Sequence, residues 1–556
     1  MEGYFVVKKI RIVLGLTVVI PFIFGTAIYS AGGEDEINSE NSESEEKITD
    51  TADNIILLIG DGMALQQTST AAYYLGEGAS DGEQSMDTMP HTGFVRTHSN
   101  DNVITDSAAA ATAMASGYKT DDNVVGMVPS EDGNEDYEEV KTILSYAQDE
   151  NKSTGLVTNT TMTHATPASF AAHVEDRGME EEIAPQMLDS KVDILFGGGI
   201  EFFLPEEEGG EREDGRNLIE EAEADGYELL HDQDDLSESS SDQLLGLFSE
   251  DHMSFELDRE TTNEPSLSEM TDTAIENLSQ NDDGFFLMIE GGRIDHAGHS
   301  NYPVANITDT IAFDHALQVA LDYAQEDPNT LVVVTADHGT GGMSAGVDGE
   351  YDFNRDVISD VTRSSEYMAN EMNDDNSNIE EVLAEYAGIQ DLTSEEIEMI
   401  ENADDADEGV AHVISQRAGI GWTTTGHTAV DVPVYAYGSH AEAFSGTLDN
   451  TDIANNILDA MSEENDELPE SAVDIKAVVE NLAEDGEIAD EETSRALTVH
   501  LTAVHHHENQ DAAEQVVQHM EGFQDLLDQQ HNDALISEEA YEILSGQAED
   551  LLDEWE

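Results

Sequence analysis

Apolar residues in this chain gather in short, unbroken runs that stop at glycine or at an acidic residue. Ile55-Ile56-Leu57-Leu58-Ile59 stops at Gly60-Asp61-Gly62, Phe285-Phe286-Leu287-Met288-Ile289 stops at Glu290, and Leu331-Val332-Val333-Val334 precedes Asp337-His338. Runs of this length without polar alternation, bounded by turn residues, predict parallel strands covered on both faces. Ligands bind beyond the carboxyl ends of such strands. Oxygen and imidazole side chains from distant parts of the sequence are therefore expected to converge. Thr154 to Val157, Val192 to Phe196 and Val432 to Tyr437 read as further strands, with helical stretches between them. The alternation predicts an α/β fold, a three-layer sandwich around a mainly parallel central sheet.

The texture changes twice along the chain. Between His338 and His427 a long polar stretch, including Glu380 to Ala387 and Ser394 to Asn402, predicts a crown-like insertion at 343–420 beside the site. After Pro469 only helical spacing remains: Ile475, Val478, Val479 and Leu482; Val516, Met520, Phe523 and Leu527; Tyr541, Leu544, Ala548 and Leu552. The expected division is a catalytic domain at 51–460 and an all-α module at 461–556. His505-His506-His507 lies in that module. Adjacent residues on a helix point in different directions, so a solvated polar turn is expected there in preference to a metal site.

Charge adds an environment to this picture. Against 124 Asp and Glu there are 19 Lys and Arg, a formal net charge of -105, while 38% of the residues are hydrophobic. That apolar content excludes a disordered acidic chain. Self-repulsion on this scale calls for screening or bound cations, which suggests a halophilic surface, with a cation-storing acidic protein as the rival reading. Nucleic acid is disfavoured as a partner for want of basic patches. Cysteine is absent, so any transition metal must be held by histidine and carboxylate. Lys8, Lys9 and Arg11 precede an apolar stretch from Ile12 to Ile28. This layout predicts a secretory signal at 1–31 and hence a secreted or cell-surface protein, an uncleaved anchor being the alternative. Residues 32–50, rich in Glu, Ser and Asn, read as an acidic linker.

The chemistry gathers around Ser107, which precedes the helix-forming run Ala108-Ala109-Ala110-Ala111. A serine there either caps the helix or places its hydroxyl where backbone N–H groups favour an anion. Its company favours the second reading. Ile59-Gly60-Asp61-Gly62-Met63, Thr105-Asp106-Ser107-Ala108-Ala109, His164-Ala165-Thr166-Pro167-Ala168, Ile289-Glu290-Gly291-Gly292-Arg293-Ile294-Asp295-His296-Ala297-Gly298-His299 and Thr335-Ala336-Asp337-His338 resemble, in order and spelling, the alkaline phosphatase family. Thr425-Gly426-His427-Thr428 follows where the last metal histidine of that family stands, and the likeness spans roughly residues 53 to 440. The C-terminal module is similar to the helical FIMAH-type domain of secreted bacterial proteins.

The resemblance implies a phosphoric monoester hydrolase with two zinc ions and one magnesium. Asp295, His299 and His427 are implied as ligands of the first zinc, and Asp61, Asp337 and His338 as those of the second, which also holds the Ser107 oxygen. Asp61 would bridge to a magnesium completed by Glu290, Thr166 and waters. Ser107 would then be the nucleophile, passing through a covalent phosphoserine, and Arg177 would fork two phosphoryl oxygens. A surface ion pair is the other reading of Arg177. His164 and His296 stand where some members carry Asp and Lys, and are expected to orient waters and ligands, which leaves the third ion's identity open. Asp106 is expected to anchor the backbone or Arg177, and His173, His315 and His412 to be structural.

Small phosphate monoesters are the substrates this implies, and family members often pair as homodimers. A phosphodiesterase or sulfatase of the same superfamily is the alternative. The sulfatase would need a Cys- or Ser-x-Pro-x-Arg sequence, whereas Ser107 is followed by alanines. A third reading makes the chain a cation-binding or adhesive surface protein, with the helical module serving surface or partner attachment.

Overall fold

The computed structural model describes residues 51–461 and 472–555, apart from 77–81, 131–136, 240, 348, 350, 374, 485–487, 490, 509–512 and 533–534. The expected leader at 1–31 and linker at 32–50 lie outside the described residues.

The apolar runs form the centre of a ten-stranded sheet in the order Gly446–Asp449, His91–Arg96, Val432–Gly438, Thr330–Thr335, Asn54–Ile59, Phe285–Glu290, Ser153–Thr161, Ile194–Gly198, Leu244–Leu247, Glu228–Leu230. Every side chain of Asn54–Ile59, Phe285–Glu290 and Thr330–Thr335 is buried, as strands covered on both faces require. Only Val432–Gly438 runs against the others. One expected strand shifts: the run from Val192 begins its ladder at Ile194 and continues to Gly198. The short strands His91–Arg96, Glu228–Leu230, Leu244–Leu247 and Gly446–Asp449 lacked an apolar run long enough to announce them.

Helices pack against one another in two groups, which complete the layers. Ser107–Ser116, Ile143–Asp149, Ala165–Ala171 and Asn450–Met461 form one group, and Leu65–Leu75, Leu267–Leu278, Arg293–His299 and the long Pro303–Glu326 the other. Helix Asn450–Met461 thus packs with the sheet domain over its described length. The crown at 343–420 holds short helices, from Arg355–Asp360 to Ala406–Ala418, around an apolar cluster of Ile358, Met368, Leu383, Val410 and Ile414 that also takes in Val304 and Ile307 of helix Pro303–Glu326.

The C-terminal module consists of Ala472–Glu484, Glu491–Glu508, Ala513–Asn532 and Glu538–Trp555 around a separate core of Ile475, Val479, Leu501, Met520, Phe523, Leu527 and Leu544. The helix Glu491–Glu508 runs through His505-His506-His507, whose side chains lie outside the described residues. No described helix is long and apolar enough to cross a membrane.

Register is what builds the site. Ile59 stands opposite both Glu290 and Thr335, and Thr158 opposite Glu290, so neighbouring strands end at one level. Asp61, Asp295 and Asp337 follow just past that level. The start of an antiparallel strand lies at the same edge, so Val432–Gly438 brings His427 there as well.

Candidate active site

Asp106, and not Ser107, caps the helix Ser107–Ser116: its Oδ1 accepts the Ala109 N–H at 3.0 Å. The capping role open to Ser107 is thereby taken by its neighbour, because a carboxylate one residue earlier reaches the same free amide. Ser107 becomes the first helical residue, and its buried Oγ lies 3.1 Å from His338 Nε2. Asp106 also accepts from Arg177 Nη1 at 3.1 Å through its other oxygen. Arg177 Nη2 donates to His164 Nε2 at 3.1 Å. A guanidinium only donates, so His164 carries its proton on Nδ1, which faces Glu290 Oε1 at 3.2 Å. Burial disfavours the Arg177 charge, yet the carboxylates of Asp106, Asp61 and Asp295 together outweigh it and raise the group above its ordinary value.

Ligand atoms from three sets of side chains lie within 4.8 Å of one another: Asp295, His299 and His427; Asp61, Asp295 and His338; Asp61, His164 and Glu290. The first set is the expected one. The second holds Asp61 and His338 of the expected set with Asp295 beside them, and the third holds Asp61 and Glu290 of the expected set with His164 beside them. Asp337 is nonetheless adjacent: its Oδ1 accepts the Gly62 and His338 N–H groups at 3.0 and 2.8 Å, and its Oδ2 lies 3.0 Å from His338 Nε2. Thr166 is fully buried in the first turn of Ala165–Ala171, directly after the His164 cap.

The donor chemistry fits divalent cations. Both Asp61 oxygens and the Thr166 hydroxyl are buried without a hydrogen-bond partner among the described residues. Such groups cost several kcal/mol each if left unpaired, and this many together are the mark of a cation site. Burial, followed by the charges of Asp337, Asp295 and Glu290, pushes the Asp61 carboxyl well above its ordinary range. Cations relieve that repulsion. Burial lowers His427, with the His338 charge next in effect, whereas for His338 burial is overcome by Asp337, Asp295 and Asp106 together and the ring is raised.

Outer contacts aim these ligands. His299 Nδ1 and His427 Nδ1 face the carbonyls of Thr425 and Thr105 at 2.6 and 2.8 Å. Both rings thus hold a proton on Nδ1 and turn Nε2 inward, the two Nε2 atoms lying 3.0 Å apart. Thr340 Oγ1 donates to Asp295 Oδ1 at 2.5 Å. The hydroxyls of Thr158 and Thr160 donate to Glu290 Oε2 at 2.5 and 3.1 Å. Gly62, at φ +69°, cannot carry a side chain, since a Cβ there would stand 2.9 Å from both Cα and Oδ1 of Asp295. His296 accepts from Arg293 Nη1 at 2.8 Å on Nδ1, and its ring lies 4.4 Å from that of His252. Burial, then the Arg293 charge, pushes His296 well below its ordinary value.

Thr158, Thr160, Thr340 and His252 were missed from sequence. The threonines follow recognised strands or His338 closely and so had a weak signal; His252 had only its place beyond the Leu244–Leu247 strand. Of the histidines read as structural, His173 Nε2 faces the Val140 carbonyl at 3.0 Å and His412 Nε2 the Gln416 amide at 2.8 Å.

Comparison with known proteins agrees with this arrangement. Residues 52–462 match the alkaline phosphatase family and residues 472–553 the FIMAH domain. Alkaline phosphatase 3 of Bacillus subtilis is 39% identical over 434 residues, covering 74% of this chain and 89% of that protein. The repressible alkaline phosphatase of Saccharomyces cerevisiae is 35% identical over 454 residues, covering 71% and 78%. A crystal structure of a cold-active alkaline phosphatase from the psychrophile Shewanella sp. superposes with TM-score 0.66 at 31% identity, covering 74% of this chain and all of that one. Fold, relatives and the buried ligand groups lead to one assignment: the chain belongs to the alkaline phosphatase family of metal-dependent hydrolases and carries a FIMAH domain after its catalytic domain.

Proposed function

We propose that the protein is a secreted, salt-adapted phosphomonoesterase that releases inorganic phosphate through a phosphoserine at Ser107. The observation that carries this reading is the Ser107 hydroxyl at 3.1 Å from His338 Nε2, at a helix N-terminus, with the unpartnered oxygens of Asp61 in the same ligand group as His338. Zinc would suit the His- and Asp-bearing set Asp295, His299, His427 and the Asp61 and His338 pair, with Asp337 Oδ2 3.0 Å from the His338 ring; magnesium would suit the oxygens of Asp61 and Glu290 with the buried Thr166 hydroxyl. Bound there, divalent cations supply positive charge that favours the ionised forms of the serine hydroxyl and a water and offsets charge on the leaving oxygen.

The side chains divide the remaining work. Ser107 Oγ forms a bond to phosphorus as the ester P–O bond breaks and the alcohol leaves. Water then attacks the phosphoserine, which returns the hydroxyl to Ser107 and frees phosphate. Arg177, held flat between Asp106 and His164, presents paired N–H donors to two phosphoryl oxygens and so favours a phosphoryl group with three non-esterified oxygens. That preference for monoesters over diesters and sulfates is measurable as relative kcat/KM on 4-nitrophenyl phosphate, its bis-ester and its sulfate. The net charge of -105 supports salt adaptation; the expected sign is a Tm that rises with salt, and a flat or falling trend removes that part. Secretion predicts a mature N-terminus near residue 32, read by N-terminal sequencing.

One paired measurement tests the core of the reading. Elemental analysis is expected to return two zinc and one magnesium per chain, and mass spectrometry of acid-quenched turnover a phosphate on the Ser107 peptide. A metal-free active enzyme, or phosphate on no peptide, overturns it.

A further inference from the structure

We infer that His252 is a positioning residue for the cation pocket built on Glu290, acting through the Thr161 amide; the inference rests on the metal-dependent reading above. Strand Ser153–Thr161 slips out of register with Ile194–Gly198 between Val157 and Thr161. The irregularity spans Thr158 and Thr160, whose hydroxyls, two residues apart on one strand face, meet Glu290 Oε2. It also takes the Thr161 N–H out of the ladder, and that N–H donates to His252 Nδ1 at 3.0 Å. A backbone amide only donates, so His252 Nδ1 holds the lone pair and its proton sits on Nε2.

Thr161 is the hinge between the two sets of Glu290 contacts. Upstream lie Thr158 and Thr160; downstream the chain turns to His164, whose N–H donates to the Thr161 carbonyl at 3.0 Å and whose Nδ1 faces Glu290 Oε1. His252 therefore pins the N–H of the residue that stands between the two sets of Glu290 contacts. Its ring also backs the pocket, lying 6.0 Å from the His164 ring and 4.4 Å from that of His296. The loop bearing it is itself fastened: Gly199 N–H donates to the Asp251 carbonyl at 2.9 Å, and Ser249 Oγ to the same carbonyl at 2.6 Å. Outer partners of metal ligands set affinity by orienting those ligands, and removing one weakens binding by roughly 10- to 100-fold.

The test is calorimetric titration with magnesium chloride of the full chain, stripped by chelator and reloaded with zinc. His252→Ala is expected to weaken magnesium binding about tenfold with zinc content unchanged by elemental analysis. His252→Asn, whose amide oxygen stands where Nδ1 does, is expected to restore most of the affinity. Undiminished magnesium affinity in H252A overturns the inference, as does an H252N protein no tighter than H252A. Loss of zinc together with magnesium overturns it too, because the side chain would then support the fold at large. A wild-type chain that binds zinc yet no magnesium defeats the reading of the Glu290 pocket itself, an outcome distinct from a failure of His252 alone.

Discussion

The sheet domain and the C-terminal helical module bury apolar surface by different geometries, and among the described residues only the sheet domain gathers metal-ligand groups. In the sheet, strands covered on both faces end in register, with Ile59 level with Glu290 and Thr335, so whatever follows each strand is delivered to one edge. In the module, residues such as Val516, Met520, Phe523 and Leu527 turn inward at helical spacing. Among the described residues, the ligand clusters all fall in the sheet domain. Convergence of side chains from distant sequence is a property of aligned strand ends, and a helical bundle acquires it only by placing polar groups in its core.

The strongest way to break this contrast is to remove the nucleophile. Ser107→Ala is expected to lower kcat on 4-nitrophenyl phosphate by at least roughly a thousandfold while metal content and the module stay intact. Undiminished turnover would move the chemistry away from the edge where strands and helix meet. Arg177→Lys comes next. A single ammonium cannot reproduce a paired guanidinium contact, and losing a charge-stabilising donor costs roughly 10²–10³ in rate. The expected result is that loss in kcat/KM, with metal content unchanged by elemental analysis.

Much of this was legible beforehand, for a physical reason. Strands buried on both faces must be apolar throughout, so Ile55 to Ile59 and Leu331 to Val334 announced themselves, and the residues after them were the ones to inspect. Edge strands such as Glu228–Leu230 carry no such constraint and left no run to read. Asp106 as the cap of the Ser107 helix was a choice between two adjacent residues that both favour that position. His252 was invisible because its role depends on a register slip in a different strand, a fact of three-dimensional pairing with no local signature.

A smaller effect sharpens the contrast from the module's side. Leu527 is 1% exposed in the helical core. Its replacement by alanine is expected to cost roughly 2–5 kcal/mol of module stability, read as faster amide exchange across Ala513–Asn532, with kcat unchanged. A fall in kcat matching the stability loss would show that catalysis draws on the module.

The smallest effect concerns charge, and it again separates the two regions. Asp309, 1% exposed on helix Pro303–Glu326, accepts the Glu256 N–H at 3.3 Å through either oxygen. Burial pushes its carboxyl up to about 8, with the Arg293 charge opposing and that of Glu256 adding. The folded state therefore keeps a proton that the unfolded chain gives up near pH 4, so this residue's contribution to stability declines as pH rises from about 4 to about 8 and is level beyond. Asp309→Asn keeps an acceptor for the Glu256 amide and has nothing to titrate. The stability difference, variant minus wild type, is thus expected to grow through that window and then flatten, measured as Tm or as amide exchange of Asn54–Ile59 and Thr330–Thr335. Among its described residues the module buries no carboxylate, so exchange in its helices is expected to show no pH-dependent difference between the two proteins. A difference that stays constant from pH 4 to 8 would mean that Asp309 titrates as an ordinary carboxylate and that the sheet domain hides no proton there.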